Sequence, residues 1–374
     1  MTSVSLSLLH NNEGLTIDVV YRLLYTIGSS LMLALSAFVI VHGNLNIFKF
    51  NNARNVLVNS VKVDVWHRIT LIWLGMTIAI KLNETLNRFA RNNWNWNSKS
   101  TLPAQEQIVV VTGASGGLGK AICNRLADKG YKVVALDIVP SSQPWSEPSR
   151  CHDLPLFRDL TKVLCDKDKG ITFYEVNLTD RQAVLKIADT ICKQIGSPHI
   201  LINNAGVVKA KSILDSTQQD IDLTFDVNTK AHFWTVQAFL PDMIRRNEGH
   251  VITMASSTAY IQAPNGVAYC ASKSAALSFH EGLQLELYHV YKSTNVKTSI
   301  ICPAHVETDL FKGFKSNDWI PQWLTPSLKI QTIVELIEKI ISSHQSQHVI
   351  EPFYAKLKPL FRIVPHWIQA IGYE

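Results

Sequence analysis

The chain has 374 residues, more than one ordinary α/β domain needs and too few for two full ones. Its net charge of +6 is modest and spread out, which argues against a nucleic-acid-binding protein, and its six cysteines lack the CxxC or CxxH spacing of a metal site. Hydrophobic residues reach 47 % against 18 % charged, rich for a soluble enzyme, and the excess sits near the N-terminus.

Residues 23–41, LLYTIGSSLMLALSAFVIV, carry no charge and are long enough to cross a bilayer as a helix. A cleaved signal peptide has a shorter apolar core, and a buried helix is rarely apolar on all sides for five turns, so the reading is a retained anchor. Arg22 precedes it and Lys49, Arg54 and Lys62 follow, which places the C-terminal side in the cytosol. A second run, residues 69–80, is short for a span and suits an interfacial or re-entrant helix. The linker after it combines cations with Trp94 and Trp96, as a headgroup-level segment or a solvated linker would. Cys123 and Cys192 fall in apolar helical patterns, consistent with a reducing compartment.

Val109, Val110 and Val111 then begin a buried parallel strand. The chain turns through TGASGGLG, residues 112–119, into a helix with Ile122, Leu126 and Ala127 on one face. A helix start offers unpaired N–H groups and partial positive charge, and glycines let a pyrophosphate approach them. A second strand, residues 132–136, leads to Asp137, placed to accept hydrogen bonds from an adenosine ribose. No Arg or Lys stands at Ser115, Gly116 or Ile138, so NAD is favoured over NADP.

Further strands are expected over residues 171–176, 199–206, 249–256 and 296–303, with helices between them, among them 181–195 and 268–291. This alternation implies an α/β fold with a doubly wound parallel sheet, whose ligands sit at the carboxyl ends of the strands. The Ser- and Pro-rich connection after Asp137 reads as a surface loop followed by a short helix over 156–164.

In YCASK, Tyr269 and Lys273 lie four residues apart on one helix and share a face. A lysine cation beside a phenol, together with a cationic nicotinamide, would lower the phenol's pKa and make it a usable base. Ser256 ends an apolar strand thirteen residues earlier, where a hydroxyl can hold a substrate oxygen; Ser257 is its rival, and spacing favours Ser256. Asn228 lies within a helical segment, against its propensity, which hints at a task.

TGASGGLG, NNAG at 203–206, Asn228, Ser256 and the Tyr269/Lys273 pair together resemble the motifs of short-chain dehydrogenases/reductases, in order and spacing, over residues 109–314. The stretch FDVNTKAHFWTVQAFLPDMIRRNEGHVITMAS is similar to the membrane-anchored subfamily of retinol and 17β-hydroxysteroid dehydrogenases of lipid droplets and endoplasmic reticulum. The resemblance implies a Rossmann-type domain over 101–315, after a membrane-anchor region over 1–100 and before a substrate lid and tail over 316–374. It implies that Gly113, Ser115, Gly117, Leu118 and Gly119 hold the pyrophosphate, Asp137 the ribose, and Asn177 and Leu178 the adenine. Asn204, Ala205 and Gly206 would line the cofactor cleft, and Val306 and Thr308 would contact the carboxamide. Tyr269 would be the acid/base, Lys273 its tuner and a ribose ligand, Ser256 the oxygen binder, and Asn228 the holder of a relay water. Asn177 stands where the family commonly has Asp, and Ala304 where it has glycine. A homodimer, and placement at the endoplasmic reticulum or lipid droplet with the catalytic domain in the cytosol, are also implied.

Phe311, Phe314, Trp319, Ile320 and Trp323 form an apolar segment fit to be a lid over a lipophilic substrate. Apolar residues from Phe353 to Ile371 recur at helical spacing with Lys356, Lys358 and Arg362 among them, as in a basic helix docking on a bilayer or one packing on the domain; Pro359 and Pro365 would break it. The expected reaction is hydride transfer between NAD and a lipophilic alcohol or carbonyl: retinoid, steroid or long-chain alcohol. An NADP-dependent ketoacyl or ketosteroid reductase, and an idle lipid-surface scaffold, are the alternatives.

Overall fold

The computed structural model describes residues 25–26, 30, 33–34, 37, 53–95, 102–139, 149–150, 163–166, 170–311 and 325–373. The chain divides into two compact units, Met1–Ala90 and Arg91–Glu374. Most of the apolar run 23–41, residues 314–323 of the expected lid, and Trp96 lie outside the described residues.

Helix α1 (Ala53–Arg91) runs unbroken for 39 residues, so the short element expected over 69–80 is the middle of a longer helix. Lys81, just past that run, pairs with Glu84 at 3.0 Å, one turn on, and the helix continues through the charge. Its segment Arg68–Arg91 is long and apolar enough to cross a membrane, and Ile72, Met76 and Leu82 are exposed along it.

The second unit carries one nine-stranded sheet: β1 (Ile108–Thr112), β2 (Lys132–Asp137), β3 (Ser149–Arg150), β4 (Val163–Asp166), β5 (Ile171–Glu175), β6 (Ile200–Asn203), β7 (Gly249–Met254), β8 (Val296–Pro303) and β9 (His348–Glu351). The order is β3-β4-β5-β2-β1-β6-β7-β8-β9, parallel from β5 to β9, with β3 and β4 antiparallel at the edge. Successive side chains of β1 serve opposite faces. Val109 and Val111 join a core with Ile122, Leu126, Ile333 and Ile337; Ile108 and Val110 join another with Ile187, Ile191, Phe239 and Met243. The first core is covered by α2 (Gly117–Asp128) and α7 (Ile330–Ser343), the second by α3 (Arg181–Gln194), α5 (Ala231–Arg246) and α6 (Val267–His289). Burial on both faces is why these strands read as continuous apolar runs. Asp180 caps α3 by accepting from the Gln182 and Ala183 N–H groups at 2.9 and 3.1 Å, and Thr217 with Asp220 forms a capping box on α4 (Gln218–Phe225).

Three expectations about local structure change. Leu164, placed at the end of a short helix over 156–164, lies in strand β4, where pairing with Phe173 of β5 overrides local preference; residues 156–162 lie outside the described residues. The start of the supposed linker is fastened: Asn92 accepts the Ser346 N–H at 2.9 Å, and Asn93 donates to the Thr294 carbonyl at 3.0 Å. The basic tail is not one helix. Residues Phe353–Arg362 form 3₁₀ turns around Pro359, and α8 (His366–Tyr373) starts after Pro365, leaving Leu357, Leu360, Ile363 and Trp367 exposed.

Candidate active site

A cavity of about 830 Å³ opens at the carboxyl ends of the central strands, where β1 turns into α2 and β6 lies on its other side. Gly113, Ser115, Gly117, Leu118, Gly119, Asp137, Asn177, Leu178, Asn204, Ala205, Gly206, Ser256, Tyr269, Lys273, Val306 and Thr308 all line it. Asn228 does not; it is fully buried one layer behind.

One half of the cleft is backbone. Gly113 has φ +65°, and a Cβ there would lie 2.7 Å from Ala205 Cα. A Cβ on Gly119 would lie 2.0 Å from the Gly113 carbonyl oxygen, so Gly119 lets α2 start tightly against the turn. Thr112 Oγ1 accepts the Asn204 and Ala205 N–H groups at 3.0 and 3.1 Å, while Asn204 Nδ2 donates to the Thr112 and Gly113 carbonyls at 3.0 and 3.2 Å. Asn204 thus buttresses the turn. Helix α2 has no side-chain cap at Gly116, and a Cβ at Gly116 or Gly117 would meet nothing closer than 3.6 Å. Uncapped donors behind an open approach fit a pyrophosphate. The Asp137 carboxylate accepts the Ser115 N–H at 2.8 Å and the Ile138 N–H at 2.7 Å, which keeps lone pairs for hydroxyl donors. Asn177 Oδ1 accepts from the Thr179 N–H and hydroxyl at 3.1 and 2.9 Å.

The other half is buried side chains. Ser256, Tyr269 and Lys273 are each at most 5 % exposed, and Tyr269 and Ser256 are hydrogen-bonded to each other. Thr258 donates its N–H at 3.2 Å and its hydroxyl at 2.9 Å to Ser256 Oγ, which fixes that hydroxyl at the start of a 3₁₀ turn, Ser257–Ala259. Ser257, the rival, does not line the cavity; its Oγ accepts from Lys358 Nζ at 2.7 Å. Lys273 Nζ donates to the Met254 carbonyl at 2.9 Å and lies 5.9 Å from the Tyr269 ring centroid. Among the protein's own groups burial dominates. It pushes the Tyr269 phenol up, against the lowering hydrogen bond with Ser256, and pulls the Lys273 ammonium down to about 8. The lowering of Tyr269 expected from the sequence calls for Lys273 together with a cationic nicotinamide.

Asn228 sits in a π-helical turn, Asp226–Lys230, between α4 and α5. Its Oδ1 accepts the Val207 N–H at 2.8 Å, and its Nδ2 donates to the Val207 carbonyl at 2.9 Å and to Ser272 Oγ at 3.0 Å. The side chain thus locks the loop after β6 to α6.

These positions agree with a family match. The model for the short chain dehydrogenase family matches residues 107–149 and 156–319. The chain belongs to the short-chain dehydrogenase family. It is an oxidoreductase of alcohol and carbonyl groups, with nicotinamide-dependent hydride transfer. Dehydrogenase RED2 of Cochliobolus heterostrophus is 38 % identical over 236 residues, 62 % of this chain and 78 % of that one. Human epidermal retinol dehydrogenase 2 is 35 % identical over 62 % of this chain and 71 % of its own length. Human estradiol 17-beta-dehydrogenase 11 is 33 % identical over 71 % and 81 %. Among solved structures, 4-hydroxyisoleucine dehydrogenase complexed with NADH aligns with TM-score 0.52 at 22 % identity, covering 66 % of this chain and 96 % of that one, which shows the shared fold.

Sequence reasoning on this dehydrogenase missed Thr112, Thr258 and Ser272, whose roles arise from partners 92, 2 and 44 residues away. It also missed Val207, Leu223, Val227 and Leu310, apolar residues that line the cleft. Only Thr258, two residues from Ser256, carried a local signal.

Proposed function

We propose that the protein transfers hydride between NAD and a lipophilic alcohol or its carbonyl, with Tyr269 as acid/base. The observation that carries this is the Tyr269–Ser256 hydrogen bond, with Lys273 and the glycine turn in one cleft whose lining also includes the apolar Val207, Leu223, Val227 and Leu310. Bound along the cleft, a nicotinamide dinucleotide supplies the centre that takes or gives the hydride. In oxidation, Ser256 Oγ holds the substrate oxygen and Tyr269 takes its proton; in reduction Tyr269 returns it. Lys273 holds positive charge near the phenolate and reaches the nicotinamide ribose. A Cβ on Gly206 would lie 3.5 Å from both Lys273 Nζ and Asn228 Oδ1, so the space that glycine leaves fits a water joining the two, a path for the proton to solvent.

NAD is favoured by Asp137, whose carboxylate would oppose a 2′-phosphate, and by a lining whose sole cation among the described residues is Lys273. The retinol and estradiol named in two relatives support a retinoid or steroid alcohol as substrate. The long apolar helix supports a membrane setting, and the resemblance supports the endoplasmic reticulum or lipid droplet, with the catalytic unit in the cytosol. Exposed Phe233, Leu285 and Tyr288 on α5 and α6 support pairing into a homodimer. The test offers membranes containing the full chain NAD or NADP with retinol, estradiol and long-chain alcohols. Turnover is expected with NAD and one lipophilic class; turnover confined to small polar alcohols, or to NADP, contradicts the proposal.

A further inference from the structure

The turn that carries Ser256 is held from the far end of the chain. Residues Phe353–Arg362 form 3₁₀ turns after β9, and this segment sends two cations to the residues just beyond Ser256. Lys358 Nζ donates to Ser257 Oγ at 2.7 Å. Arg362 donates through Nε to the Tyr260 carbonyl at 2.9 Å and through Nη2 to the Ala259 carbonyl at 3.1 Å. A third donor, Ser274 Oγ of α6, reaches the Ala259 carbonyl at 2.8 Å, and Tyr260 OH lies 2.6 Å from His348 Nε2 of β9. The carbonyl end of a helical turn carries partial negative charge, so the Arg362 guanidinium is well matched to it.

We propose that Lys358 and Arg362 are positioning residues for the dehydrogenase reaction: they clamp the 257–260 turn and so hold Ser256 Oγ toward Tyr269. The inference rests on the reading of Ser256 and Tyr269 given above. Lys358 engages Ser257, so the two adjacent serines face different tasks, Ser257 toward the clamp and Ser256 into the cleft. Among the described residues the partly buried Lys358 ammonium meets no carboxylate, only the Ser257 hydroxyl and the Tyr354 ring 5.6 Å away, which is poor material for stability alone, since desolvating a cation is costly. Burial pulls the Lys358 ammonium down to about 8, in keeping with that penalty. Lys356, two residues away, shows the contrast: it is exposed and pairs with Glu351 at 3.3 Å.

The experiment compares Lys358→Met, Lys358→Arg, Arg362→Leu and Lys356→Met in the full chain in membranes, with estradiol and all-trans-retinol as probe alcohols. Lys358→Met is expected to lower kcat by about tenfold or more, as a displaced reacting group does, with NAD affinity unchanged. Hydrogen exchange at residues 257–260 should quicken while that at 108–119 stays as in the wild type. Lys358→Arg should restore most of kcat, Arg362→Leu should give a smaller loss, and Lys356→Met none. If Lys358→Met does not fold, Ser257→Ala removes the same hydrogen bond from the other side and should lower kcat in the same way. Wild-type kcat in folded Lys358→Met, or a loss that tracks NAD affinity and thermal midpoint while kcat is kept, overturns the clamp. Should Tyr269→Phe keep full turnover, the underlying reading fails instead; if Tyr269→Phe is inactive and Lys358→Met is not impaired, only the clamp fails.

Discussion

The two halves of the cleft are made of different material. The dinucleotide half is backbone: a left-handed Gly113, a Gly119 pressed on the turn, and helix donors that no side chain caps. The reacting half is buried side chains, Ser256, Tyr269 and Lys273, and burial has shifted the ionisation of the last two. Backbone sites such as Gly113 and Gly119 tolerate little added volume and offer only partial charge, whereas side-chain sites lose function when a single oxygen or nitrogen is removed. Changes in the first half should therefore register in cofactor affinity, and changes in the second in kcat.

After the loss of Tyr269 itself, the effect that most sharpens this contrast is Ser256→Ala, expected to lower kcat by about 10²-fold, with NAD affinity kept, in stopped-flow turnover. Gly119→Ala should do the reverse. Its Cβ would meet the Gly113 carbonyl oxygen at 2.0 Å, so the turn must shift, and NAD affinity measured by calorimetry should fall well over tenfold, by roughly 2 kcal/mol, as overpacking implies. Asp137→Ala is milder, with an expected loss of about tenfold in NAD affinity and a gain in relative NADP affinity. An unchanged NAD/NADP ratio would break the assignment of Asp137 to the ribose.

A further expected effect concerns stability. Burial holds His232, His250 and His280 down to about 3, against an ordinary value of 6.5. Between those values the unfolded chain binds protons that the native state does not, so stability rises with pH across that window and falls as pH drops through it. Each histidine contributes about 1.4 kcal/mol per pH unit there. Chemical denaturation at pH 7 and pH 5 should show the loss, and His250→Gln, which keeps a partner for Ser299 Oγ, should flatten it.

What the sequence made legible follows the same division. Local backbone chemistry reads well, because a β-branched strand, glycines and an acid at fixed spacing determine one another through short-range sterics; strand β8 falls on residues 296–303 as expected. The Tyr269/Lys273 pair reads well because helix periodicity alone places both on one face. Long-range partners do not read. Nothing near Lys358 announces Ser257, 101 residues earlier, and its position in a basic stripe fits docking on a bilayer and packing on the domain alike. Asn228 shows in the sequence as an unfavourable helical residue, but its engagement of Val207 and Ser272 is tertiary. The full length of α1 does not read from the apolar run, because Glu84, which pairs with Lys81, lies beyond it.

The measurement that bears most directly on the account is single-turnover oxidation by Tyr269→Phe in membranes, alongside NAD binding by the same sample. The account predicts NAD affinity within a factor of about two of the wild type and a hydride-transfer rate lower by roughly 10²–10⁴-fold, the range of a lost general acid/base. A Tyr269→Phe protein that binds NAD and oxidises the lipophilic alcohol at the wild-type rate would contradict it.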